Sequence, residues 1–206
     1  MTYPLINRQN PLILASSSPR RKELLARIGL PFHPVASSVI EEDFNEDPVQ
    51  SACSLANQKA VDVRPGFESS WILGADTLVV VDNKILGKPE NEESAVEMLT
   101  LLSGRDHNVI TGFCILTPSG KALHSEAVIT RVLVKELNSQ EIVDYIKTGE
   151  PYGKAGSYAI QGIGAFMVES ISGSYTNVVG LPVCALIKAL IMVGALESFP
   201  IPNDSP

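Results

Sequence analysis

Short apolar runs alternate with stretches of helical spacing along most of this chain. Leu12 to Ala15 is apolar throughout and too short for a helix, which predicts a buried strand. Behind it, Ser18 stands as an N-cap, Pro19 at the first helical position and Gly29 past the end, with Leu24, Leu25 and Ile28 as the stripe of a helix. Pro31 to Val39 predicts a second strand, running into an acidic loop at Glu41, Glu42 and Asp43. Asp47-Pro48 opens a helix to about Val63, with Ala52, Cys53, Ala56 and Ala60 on one face. Trp71 to Leu73 and Leu78 to Val81 read as two strands separated by Gly74-Ala75-Asp76-Thr77. Asp82-Asn83 reads as a hairpin turn into Ile85-Leu86.

The second half continues in the same way. Asn91 starts a helix with Ala95, Val96, Leu99 and Leu102 as its stripe, ended by Ser103-Gly104. His107 to Leu116 and Ala122 to Val134 read as long strands joined at Pro118-Ser119-Gly120. Asn138 with Glu141 predicts a capping box for a helix through Lys147. Short strands and glycine turns are expected over 157–180, then an apolar helix within Leu181 to Leu196. The pattern predicts an α/β fold with a mixed twisted sheet and flanking helices. Residues 1–197 are expected to form one domain, and 198–206, with three prolines and no pattern, a frayed tail.

Composition narrows the function classes. The chain has 206 residues, 45% of them hydrophobic and 19% charged, which is enough for a sizeable core without disulfides. A formal net charge of −7 gives no general attraction for nucleic acid or an anionic membrane, so neither is expected as a partner. Cys53, Cys114 and Cys184 are scattered without metal-ligand spacing and sit among apolar neighbours. Core packing in a reducing cytoplasm is the expectation. The N-terminus carries no secretory pattern, and the most apolar stretch falls short of the about 20 residues that a membrane span needs.

Four features could carry chemistry. Arg20-Arg21-Lys22 occupies the first turn of a helix, where the dipole disfavours each cation by about 0.3–1 kcal/mol. With Ser16, Ser17 and Ser18 and the free N–H groups of the helix start, these cations could form an anion trap. Alternatively the side chains snorkel into solvent. On the dipole argument alone, Arg21→Ala should leave stability equal or higher. Asp76, between two apolar runs, could bind a divalent ion or orient a water, or could cap its own turn. Lys88 in Gly87-Lys88-Pro89 could return beside Asp76 and meet a phosphate, or be a solvated hairpin lysine. Lys59 has the same two readings on its helix. Glu41 and Glu42 could be metal ligands or an exposed acidic loop. His33, His107 and His124 lack ligand spacing and read as structural.

These stretches, in order, resemble the Maf family of nucleotide pyrophosphatases. The matching pieces are Ala15-Ser16-x-Ser18-Pro19-Arg20-Arg21, Glu41-Glu42, Leu55-Ala56-x-x-Lys59-Ala60, Gly74-Ala75-Asp76-Thr77, Leu86-Gly87-Lys88-Pro89 and Leu102-Ser103-Gly104. Further on come Glu150-Pro151, Lys154-Ala155-Gly156-x-Tyr158-x-Ile160-Gln161-Gly162 and Gly173-x-Tyr175-x-x-Val178-x-Gly180-Leu181-Pro182. The resemblance implies a two-lobed α/β fold with a cleft, similar to inosine triphosphate pyrophosphatases. It implies hydrolysis of nucleoside triphosphates to monophosphate and pyrophosphate, with Asp76 as general base or water-orienting carboxylate. Ser16, Ser18, Arg20, Arg21, Lys59 and Lys88 would hold the triphosphate. Glu42, with Glu41 and Asp76, would position a divalent cation such as magnesium, manganese or cobalt.

Arg21, Thr77 and Gln161 resemble the branch of the family that prefers dTTP and UTP. A Gln amide offers a donor and an acceptor to the imide edge of uracil or thymine, whereas the sister branch, acting on 7-methyl-GTP, carries Glu there. A regulator of septum formation, acting through protein or DNA contacts, is the rival of another class. A homodimer is compatible with the resemblance.

Overall fold

The computed structural model describes residues 3–41 and 47–201. Its elements in chain order are β1 (Leu12–Ala15), α1 (Pro19–Arg27), β2 (Phe32–Val35), α2 (Pro48–Val63), β3 (Ile72–Val81) and β4 (Lys84–Leu86). There follow α3 (Glu92–Leu102), β5 (Asp106–Leu116), β6 (Ala122–Val134), α4 (Ser139–Lys147), β7 (Val168–Ser172), α5 (Tyr175–Val179) and α6 (Val183–Met192). The seven strands form one mixed sheet of order β2-β1-β3-β5-β6-β7, with β4 paired to β3. The pairs β1–β2 and β1–β3 are parallel; β3–β4 and β6–β7 are antiparallel. The α/β class with a mixed sheet is as expected. Among the described residues no helix is long and apolar enough to cross a membrane.

The expected punctuation is present. Ser18 caps α1 with Pro19 behind it, Asp47 caps α2, and Asn138 and Glu141 form a reciprocal capping box on α4. Asp82 and Asn83 both have positive φ, as a two-residue hairpin turn requires.

The chain divides into two compact units. Unit 1 comprises 1–76, 111–128 and 180–206; unit 2 comprises 77–110 and 129–179. Unit 1 has an apolar cluster on each face of its strands. Leu12 and Leu14 of β1 and Leu73 and Ala75 of β3 pack with Leu25 of α1 and Leu186 and Leu190 of α6. Their alternate neighbours, Ile13, Ala15 and Ile72, pack with Ala56, Ala60 and Val63 of α2. This is the two-residue period of a strand buried on both faces. In unit 2, Leu99 of α3 and Ile142 and Tyr145 of α4 share one cluster with Val79, Val109 and Val132. There His107 meets Tyr158, with Nε2 2.8 Å from the hydroxyl, and burial pushes its pKa down to about 4, so its role is structural.

Several expectations are corrected. The two runs flanking Gly74-Ala75-Asp76-Thr77 are a single continuous strand, β3. Asp76 therefore caps no turn: it lies inside the sheet. The second strand covers only Phe32–Val35. Where short strands were expected over 157–180, residues 155–180 hold one strand, two short 3-10 segments and the helix α5. Cys114 is buried as expected, but Cys184 is exposed, because α6 is apolar nearly all round and its sequence does not mark its outer face. Of the tail, Phe199 and Ile201 pack against the cluster around Leu186; 202–206 lie outside the described residues.

The closest approach in unit 1 places α2 directly on the sheet. A Cβ at Gly74 would stand 1.9 Å from the Ala56 carbonyl oxygen, and one at Gly112 2.4 Å from the Ala52 carbonyl. Ala52, Ala56 and Ala60, four residues apart, are the small stripe that permits this contact. Gly74→Ala should destabilise by about 1–3 kcal/mol or more, through overpacking against backbone that cannot yield. Gly87→Ala, with nothing within 4 Å of the new methyl group, should stay within about 1 kcal/mol of the starting protein. Urea midpoints measure both; equal midpoints for the two variants would remove the close-approach argument.

Candidate active site

Strands β1 and β3 run parallel with Ala15 opposite Gly74, so Ser16 and Asp76 both lie at the carboxyl end of this strand pair. That is where α/β sheets usually bind ligands, and α1 begins there at its Ser18 cap. Ile72, Gly74 and Asp76 share one face of β3 by the two-residue period, and it is the face covered by α2. The helix position preceding Ala60 therefore reaches the carboxylate. Lys59 Nζ donates to Asp76 Oδ1 at 2.5 Å and to Glu41 Oε1 at 2.6 Å. Lys59 is 6% exposed and Asp76 4%. Burial raises the Asp76 pKa, and the charges of Lys59 and Arg21 oppose that rise. The solvated-face alternative for Lys59 is set aside.

Glu41 is delivered by a loop that α2 itself braces. Asp62, one turn beyond Lys59, accepts from Ser37 Oγ at 2.8 Å, from the Ser38 backbone N–H at 2.8 Å and from Ser38 Oγ at 3.0 Å. The N–H and O–H donors together hold its carboxyl below the usual range. Sequence reasoning passed over Asp62, because an Asp on an outer helix face carries no local signal of a brace.

The three cations of the α1 first turn differ sharply. Arg21 is buried rather than snorkelling: its Nε donates to the Gly180 carbonyl at 2.7 Å and its Nη1 to Ser16 Oγ at 3.2 Å. Burial lowers its pKa, and the Asp76 charge works against that. Arg20 and Lys22 are half-buried. Ser16 Oγ also accepts from the Ser18 N–H at 3.2 Å, and Ser18 Oγ caps the Arg21 N–H at a long 3.5 Å. Ser16, Ser18, Arg21, Lys59, Glu41 and Asp76 thus belong to unit 1. Glu42 lies outside the described residues.

Thr77, Lys88 and Gln161 belong to unit 2. Thr77 follows on β3, half-buried. Lys88 is exposed just past β4, and the carbonyl of its neighbour Gly87 accepts from the Gly156 N–H at 3.1 Å. Gln161 is exposed in a turn, where a short strand ending at Gly162 was expected. Glycines around 156–164 and the hydrogen bonds they allow favour turns over a strand there.

Glu41 and Asp76, both paired to Lys59, are the donors a divalent cation would use here. Two carboxylate oxygens converge within hydrogen-bond reach of one nitrogen, and hard oxygen donors suit magnesium or manganese. Among the described residues no group of three or more His, Cys, Asp or Glu side chains could hold a metal. Glu41 and Asp76 would therefore share it with water and phosphate oxygens.

The sequence profile described as Maf-like protein matches residues 11–193. The chain belongs to the Maf-like family. Maf-like relatives include a dTTP/UTP pyrophosphatase of Syntrophotalea carbinolica, 49% identical over 192 residues, covering 91% of this chain and 87% of the relative. Another dTTP/UTP pyrophosphatase, of Geobacter sulfurreducens, is 49% identical over 186 residues, covering 90% and 97%. Among solved structures, a nucleoside-triphosphatase (dITP/XTP pyrophosphatase) of Mycobacterium abscessus overlaps 63% of this chain and 76% of its own, at 13% identity and a TM-score of 0.33. An overlap that slight carries nothing for the site.

The burial of Arg21 reverses the expectation drawn from the helix dipole. Arg21→Ala should lower stability by about 1–3 kcal/mol, because the Gly180 carbonyl and Ser16 hydroxyl lose a buried donor. That exceeds the gain of about 0.3–1 kcal/mol from the dipole. A melting temperature that stays level or rises would contradict this account.

Proposed function

We propose that this Maf-like chain hydrolyses dTTP and UTP to the monophosphate and pyrophosphate. The observation that carries the reading is the buried Lys59 ammonium held between the Asp76 and Glu41 carboxylates at the strand ends, beside Arg21. The names of the relatives support the substrate. A triphosphate needs several cations. In an acidic chain Arg21 and Lys59 are gathered where β1, β3 and α1 meet, and Arg20 and Lys88 add to the count.

Asp76 takes a proton from the attacking water through a carboxylate oxygen as the oxygen–phosphorus bond forms at the α-phosphorus. Pyrophosphate leaves with the electron pair of the anhydride bond. Lys59 orients Asp76 and donates to phosphate oxygens, while Arg21, the Ser16 and Ser18 hydroxyls and Arg20 bind the phosphates. In unit 2, Lys88 is the candidate cation for the leaving group, and Thr77 and Gln161 are the candidates for the nucleoside. A divalent cation on Glu41 and Asp76, with Glu42 nearby in sequence, would neutralise phosphate charge and favour ionisation of water. The enzyme acts in the cytoplasm on the nucleotide pool.

With magnesium, manganese or cobalt present, dTTP and UTP should yield pyrophosphate in step with monophosphate. Stepwise orthophosphate would make the protein a phosphatase, and no turnover of any nucleotide would favour the septum regulator. Asp76→Asn should lose about 10²–10⁴ in kcat. Asp76 must be ionised to accept a proton, so the base is lost as pH falls through the Asp76 titration in the metal-loaded enzyme. The acid limb of the rate profile should lie there and vanish from the residual activity of Asp76→Asn. A limb retained by that variant would assign it to another group. Gln161→Glu should lose roughly five- to 150-fold on dTTP and UTP, leaving one imide acceptor unpaired, and less on 7-methyl-GTP. An equal loss on every nucleotide would remove Gln161 as the base reader.

A further inference from the structure

Gln161 is exposed in a turn, yet a residue that reads a base needs a fixed position. The turn that carries it is built around one carboxylate. Glu150 accepts from the Ile163 N–H at 2.9 Å through Oε2, and from the Gly164 N–H at 2.8 Å through Oε1. The Tyr145 hydroxyl donates to the same Oε1 at 2.9 Å, and itself accepts from the Ala159 N–H at 3.3 Å. Backbone groups on both sides of Gln161, at 159 and at 163–164, are therefore tied to a single Glu–Tyr pair.

Two glycines make room for this arrangement. A Cβ at Gly162 would stand 2.0 Å from Glu150 Oε2, and one at Gly164 2.7 Å from the Tyr145 hydroxyl. A side chain at either position would have to displace the Glu150 carboxylate or the Tyr145 hydroxyl from its place. Burial raises the Glu150 pKa, but the Gly164 and Ile163 N–H groups and the Tyr145 hydroxyl outweigh it and leave it below the usual range. Tyr145 is pushed up, first by burial and then by Glu150. The carboxylate accepts and the phenol donates, so the pair has one fixed sense.

We propose that Glu150 and Tyr145 are positioning residues for nucleotide-base selectivity, acting through the 159–164 turn on Gln161. The inference rests on the pyrophosphatase reading above. Neither side chain touches the substrate; each fixes the backbone from which the Gln161 amide projects.

The test compares kcat/KM for dTTP and for 7-methyl-GTP in the unaltered protein, Glu150→Gln and Tyr145→Phe, with inhibition by inorganic tripolyphosphate as a base-free probe. Each variant should lower the dTTP to 7-methyl-GTP ratio about tenfold, the scale of one hydrogen bond to a charged group, mainly through KM. Tripolyphosphate inhibition should stay within about twofold, since a probe without a base gives Gln161 nothing to read. In a Gln161→Ala background, Glu150→Gln should move the ratio less than about twofold, because the residue it acts through is gone. An unmoved ratio in an active Glu150→Gln protein, an equal loss on both nucleotides, or a full further effect without Gln161 would each overturn the proposal. Tyr145→Phe keeps the ring in its cluster and decides the matter should Glu150→Gln fail to fold. Absence of pyrophosphate release from the unaltered protein would instead sink the reading on which the proposal rests.

Discussion

The contact between Lys59 and Asp76 is the constraint on which unit 1 depends. An ammonium and a carboxylate buried this deeply are tolerable only together; removing one partner of such a pair costs about 3–5 kcal/mol. The contact in turn demands that α2 lie on the sheet with its backbone almost touching β3 and β5. That is possible only with Gly74 and Gly112 on the strands and alanines at 52, 56 and 60 on the helix. Any side chain at Gly74 would lift α2 and withdraw the lysine. Packing and chemistry are therefore one requirement here: the small residues set the distance, and the distance sets the charge pair. Arg21 repeats the theme on α1, where a buried guanidinium ties Ser16 to the Gly180 carbonyl ahead of α6.

The acidic balance of the chain is put to structural use. Asp62 gathers the N–H and O–H donors of Ser37 and Ser38 and so steers Glu41 to Lys59. Glu150 gathers those of Ile163, Gly164 and Tyr145. Both carboxyls are held ionised by donors that loops cannot satisfy for themselves. Asp76 is the opposite case: burial raises its pKa, which suits a group that must accept a proton. Two carboxyls tied to loop donors and one proposed base are told apart by their surroundings, not by residue type.

Local chemistry was legible in the chain as written. The caps at Ser18, Asp47 and Asn138, the hairpin at Asp82-Asn83 and the bounds of β6 follow from groups a few residues apart, which interact whatever the rest of the fold does. Ordered motifs also pointed to the family and to Asp76, Lys59 and Arg21 as residues of interest. Legibility ended where a group's partner lies far along the chain. Asp76 read as a break in a strand because its partner, Lys59, is 17 positions away, and an unpaired carboxylate inside β3 would have been prohibitive. Arg21 left an anion trap and a solvated side chain both open, because its acceptor, Gly180, is 159 positions away. Gly162 and Gly164 carried no meaning without the Glu150 carboxylate against them, and the outer face of α6 had no periodicity to mark it. Propensity, capping and period are written in neighbouring residues, so the sequence alone determined them. Whether a polar group is a breaker or a member of the core depends on who satisfies it, and only the tertiary structure decided that.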